Sequence, residues 1–101
     1  MSNLKVKKRG VIMEELCKGL NLVYDDDQVI GKVTDIVEVF YRLIKYEIDN
    51  IEDLEERTIG VAEKVDFISQ LINEIGDNEL NKNSVIKVKE NPMAGFNYEV
   101  V

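Results

Sequence analysis

From Ile30 to Ile75 the chain places hydrophobic residues three and four positions apart, with polar residues only at Glu47 and Thr58. In heptad notation, position a falls on Ile30, Val37, Ile44, Ile51, Thr58, Val65 and Ile72. Position d falls on Val33, Phe40, Glu47, Leu54, Val61, Ile68 and Ile75. Every a residue is β-branched, and twelve of the fourteen core positions are apolar. An unbroken a/d repeat of this length is the pattern of a coiled coil, whose helices bury the seam against each other. As one helix the segment would be about 69 Å long at 1.5 Å per residue. A monomeric globule of 101 residues cannot cover such a rod, so this reading requires self-association, most simply as a dimer. Its seam would use Val37, Phe40, Ile44, Ile51, Leu54, Val61, Val65, Ile68 and Ile72.

The other reading breaks the helix near Asp49-Asn50. Either residue is a good N-cap, and Glu52, Asp53, Glu55 and Glu56 would complement the positive end of a new helix. The two polar core positions, Glu47 and Thr58, flank this point. Val29, Ile36, Tyr41, Leu43 and Ile48 also widen the apolar stripe beyond a two-stranded seam, which suits a packed bundle. The helical region 27–76 is therefore an antiparallel helix pair or one long coiled-coil helix. The pair, roughly 27–48 and 50–75, is preferred because helices of that length are far commoner.

Outside this region the pattern is shorter. Ile12, Leu16, Leu20 and Val23 share one face of a short helix expected between Gly10 and Val23. Asp25 and Gln28 stand at capping-box spacing ahead of the apolar run, which predicts that the next helix starts there. Gly76 with Asp77-Asn78 reads as a helix stop. Val85–Glu90 and Phe96–Val101 then alternate as two strands around Asn91-Pro92-Met93-Ala94-Gly95. A hairpin alone is marginal, and residues 3–9 are a candidate third strand. The expected fold is α+β, mainly helical, within one small domain spanning 1–101.

Charge changes this picture in one respect. The chain carries 20 acids and 13 bases, for a net −7. Residues 25–84 hold sixteen acids against six bases, so the acidity coincides with the helical pattern. Hydrophobic residues make up 45%, which excludes a disordered chain. No apolar run reaches the ~18 residues of a membrane span, and no signal-peptide pattern opens the sequence. The lone Cys17 excludes an internal disulfide framework and fits the cytoplasm.

Candidate chemistry is sparse. With no histidine, Ser-His-Asp, Cys-His and histidine-ligated metal sites all drop out. Cys17 lacks a partner base and reads as a small buried hydrophobe. Asp25-Asp26-Asp27 fails the Ca²⁺-loop pattern: a loop starting at Asp26 has Gly31 at position six but Val37 at position twelve. No phosphate-cradling glycine loop is present. Neither a cofactor, a metal nor an enzymatic activity is expected.

Two charged clusters remain. Lys5, Lys7, Lys8 and Arg9 would contact phosphates if the chain were a small dimeric DNA-binding regulator, the alternative reading. The overall charge opposes it by repelling nucleic acid. Asp49, Glu52, Asp53 and Glu56 would share one helix face and offer a binding surface to a basic or nucleic-acid-binding protein. The preferred expectation is a homo-oligomeric, non-enzymatic interaction module, an acidic inhibitor or adaptor. By composition it resembles accessory proteins of phages and mobile elements.

Overall fold

The computed structural model describes residues 12–91 and 95–101 and is an α+β fold. Residues 12–16 are helical (α1). They are followed by β1 (Leu22–Asp25), β2 (Gln28–Lys32), α2 (Val33–Asn50), α3 (Leu54–Gly76), β3 (Val85–Asn91) and β4 (Gly95–Val100). The four strands form one antiparallel sheet in the order β1-β2-β3-β4.

The long helix breaks, as the preferred reading has it, but at Ile51–Asp53 and not at Asp49-Asn50. Asp53 caps α3: its carboxylate accepts from the Glu56 amide at 2.9 Å. The principal extent of the molecule is 41 Å, far short of the continuous rod. The single coiled-coil helix is therefore overturned. An N-cap at Asp53, three or four residues past the expected Asp49 or Asn50 and followed by two acids in the first turn, outweighs the heptad pattern.

The expected helix start near Asp25 is also corrected, because Asp25-Gln28 closes a β-hairpin. Asp26 and Asp27 take φ of 51° and 60°. Two positive φ values in a two-residue loop give the type I′ twist that suits a hairpin, and aspartate is among the few residues that tolerate them. β2 is thus the third strand beside the C-terminal hairpin. The 3–9 candidate lies outside the described residues. With 28–32 taken by a strand, α2 begins at Val33 and needs no side-chain cap. The Val33 and Thr34 amides donate to the carbonyls of Ser84 and Lys82. Similarly, α1 ends early at a turn in which Gly19 has φ +81°, and Val23 belongs to β1. At the end of α3 the left-handed residue is Asn78, at φ 61°, and Gly76 is simply the last helical residue.

The sheet covers its core with one face. Ile86 and Val88 on β3 and Val29 on β2 are buried, and Tyr24, Phe96 and Tyr98 pack beside them. α2 contributes Val33, Ile36, Val39, Phe40 and Leu43. α3 contributes Phe67 and Leu71. Phe40, Phe67 and Phe96 meet with ring centroids 5.0 to 5.9 Å apart, tying both helices to β4. Arg42 of α2 donates to the carbonyls of Leu16 and Lys18, both at 3.0 Å, and so fastens the end of α1.

Candidate functional site

The two helices form a hairpin whose tip concentrates the acids. Asp49 lies in the last turn of α2, Glu52 in the connection, Asp53 at the α3 N-cap and Glu56 in the first turn of α3. All four are exposed. The expectation that they share one helix face is corrected, since the helix ends between Asp49 and Glu52. They cluster around a turn instead. Arg57 points back across it, its guanidinium donating to the Ile48 and Ile51 carbonyls at 3.4 and 3.5 Å. No base lies in the last turn of α2, so Arg57 supplies the positive charge that this helix end favours.

The residues expected to mediate self-association separate into three groups. Phe40 is buried in the core, which corrects its place in an intermolecular seam. Val37 and Ile68 are half-buried against that core, and Ile44, Ile51 and Val61 are half-buried as well. Leu54, Val65 and Ile72 are exposed, at 66, 44 and 54%. The last group reveals an inversion in α3. Its inward stripe is Gly60, Lys64, Phe67 and Leu71, only half of it large and apolar. Its richer stripe, Leu54, Val61, Val65, Ile68 and Ile72, turns toward solvent or sits at the margin of the core. Thr58 completes that stripe, and it carries no charged residue. On α2, Tyr41 and Ile48 are likewise exposed.

The inversion is possible because the inward stripe holds an ion pair. Glu47 is 5% exposed and Lys64 3% exposed, with Lys64 Nζ 2.8 Å from Glu47 Oε2 and 3.2 Å from Oε1. Nζ also donates to the Gly60 carbonyl at 3.3 Å. Three donors thus meet three acceptors. A Cβ built on Gly60 would stand 2.6 Å from Glu47 Oε1, so a glycine lets the carboxylate reach the helix surface. Sequence reasoning took Glu47 for a sign of a helix break and passed over Lys64. The available signal was spacing: Glu47 continues Ile36, Phe40 and Leu43 at intervals of four, three and four.

Burial pushes the Cys17 thiol up from its ordinary pKa, with the Arg42 charge opposing, so it stays protonated at neutral pH. Among the described residues no three metal-ligating side chains converge. Nor is any helix among them long and apolar enough to cross a membrane. Lys5, Lys7, Lys8 and Arg9 lie outside the described residues. Comparison with protein-family models, with curated proteins and with solved structures finds no match to this chain.

Proposed function

We propose that this protein is a non-enzymatic, cytoplasmic interaction module. Two copies associate through the outward stripe of α3, and the acidic tip of the helical hairpin receives a basic surface of another protein, as an inhibitor or adaptor would. The observation that carries this reading is the inversion of α3, which spends its poorer stripe on the core and leaves Leu54, Val65 and Ile72 in water. Apolar side chains left out of a core in one contiguous helical stripe mark an interaction surface. Charge favours a second copy as the occupant. In a chain of net −7 two copies repel unless the contact excludes charge, and this stripe has none. The acids are held apart from it at the tip, where their charge would steer a basic partner.

The test is a double variant, Val65→Glu with Ile72→Glu. Both side chains are exposed, so the fold should survive while the molecular mass by light scattering falls from dimer to monomer. A wild-type protein that is already monomeric at the highest attainable concentration contradicts the proposal. Neutralising Asp49, Glu52 and Glu56 to Asn or Gln should leave the mass unchanged and weaken capture of the basic partner, most strongly at low salt.

A further inference from the structure

We propose that the β4 edge of the sheet, roofed by α3, takes up an extended basic segment of another protein as an added strand. Val101 donates to the Val85 carbonyl at 2.9 Å, continuing the β3–β4 register. Hydrogen-bonded pairs recur at every second residue of an antiparallel ladder, so Gly95, Asn97 and Glu99 also turn their backbone toward β3. Phe96, Tyr98 and Val100 turn theirs the other way, where no strand adjoins β4 among the described residues. Such a row of donors and acceptors is a template for strand addition. Natural edges are blunted by shortness, proline or lysine. At the other edge β1 has four residues, whereas β4 has six and carries neither proline nor lysine.

The flank of α3 beside that edge selects the occupant. Phe67 meets the Tyr98 ring at 6.3 Å between centroids, and Glu74 accepts from the Tyr98 hydroxyl, which sets this side of α3 over β4. Arg57 and Lys64 reach back to α2 from the other side. With side chains following one another at about 100° around a helix, the flank beyond β4 and away from α2 is Ile59, Glu63, Asp66 and Gln70. All four are exposed, and neither acid has an ion-pair partner among the described residues. The flank follows the edge, since Lys64 lies over Phe96 and Glu74 reaches Tyr98. One face of an added strand would meet Glu63 and Asp66 while its backbone pairs with β4, so lysine or arginine at alternate positions suits both. A second copy's β4 is a poorer occupant, because a two-fold axis at the edge would bring two acidic flanks together. The stripe of Leu54, Val65 and Ile72 lies roughly half a turn around α3, so this groove does not depend on self-association.

The experiment is an NMR titration of the isotope-labelled full chain with three hexapeptides capped at both ends. One alternates lysine with valine, one alternates glutamate with valine, and the third is the lysine peptide with an N-methylated backbone. The lysine peptide should slow hydrogen exchange at the Phe96, Tyr98 and Val100 amides and leave those of Asn97 and Glu99 as they were. The glutamate and N-methylated peptides should bind roughly tenfold more weakly. Glu63→Gln with Asp66→Asn should lower affinity for the lysine peptide about fivefold, most clearly at low salt. Val100→Pro removes an outward N–H that the β3 ladder does not use, so the fold should survive while binding falls. If that variant fails to fold, the N-methylated peptide decides. Unchanged exchange at the three amides, equal binding of either control peptide, or protection of the three amides before any peptide is added overturns the proposal.

Discussion

A carboxylate and an ammonium that meet inside a protein have both surrendered their hydration, and the attraction between them does little more than compensate. Glu47 and Lys64 are in that position, so their effect on stability depends on how they are removed. Glu47→Gln leaves the Lys64 charge buried without its partner and should cost about 3 kcal/mol. Replacing both, Glu47→Leu with Lys64→Met, should fall within about 1 kcal/mol of the wild type or exceed it. Urea denaturation of the two variants separates these outcomes, and equal losses in both would contradict the account. Gly60 supplies a second test of the same pair. Alanine gains up to ~1 kcal/mol of helix propensity there. It must also displace a carboxylate held by Lys64, and breaking that contact should dominate, for a net loss of about 1–3 kcal/mol. At the far end of α3, Tyr98 donates to a Glu74 carboxylate oxygen. Desolvation first, then this hydrogen bond, pushes its pKa up to about 12. A raised pKa means the folded state holds the proton more tightly than the unfolded one. The associated stability is complete below the ordinary tyrosine value of 10.0 and is lost as pH rises toward about 12. Melting curves across that alkaline window should fall more steeply for the wild type than for Tyr98→Phe.

The elements report on charge through their ends. Asp53 and Asp49 are separated by three residues, yet the helix ends they occupy have opposite polarity. Asp53 caps α3, and Asp53→Ala should lower stability by about 1 kcal/mol. Asp49 stands in the last turn of α2, where a negative charge is unfavourable, so Asp49→Asn should raise stability by a few tenths of a kcal/mol. Thermal melts with opposite signs confirm the break between them, and an uninterrupted helix would give the same sign for both. The helical pair and the C-terminal hairpin were legible in the sequence because periodicity and turn residues act locally there. The β1–β2 hairpin was not. Asp25 to Gln28 has the spacing of a capping box, and nothing local reveals that β3 waits fifty-odd residues later to pair with β2. The start of α2 was hidden for the same reason, its amides being satisfied by the distant 82–84 carbonyls.

For the whole molecule, the helical hairpin carries both the charge and more of the buried core than the sheet does. Residues 33–76 hold eleven acids and four bases, which accounts for the full net charge of −7. That concentration was visible in the sequence, as was the apolar stripe of α3. Which way the stripe faces was not, because Lys64 on the opposite stripe reads as a solvent residue until Glu47 is placed against it. If the outward stripe is the contact between two copies, its methyl groups must approach those of another molecule. Isotope-filtered NMR on an equal mixture of labelled and unlabelled protein measures this directly. The account predicts intermolecular NOEs to the methyls of Leu54, Val65 and Ile72, and their loss in the Val65→Glu, Ile72→Glu variant. Intermolecular NOEs confined to another surface, or none in a sample of monomer mass, would contradict it.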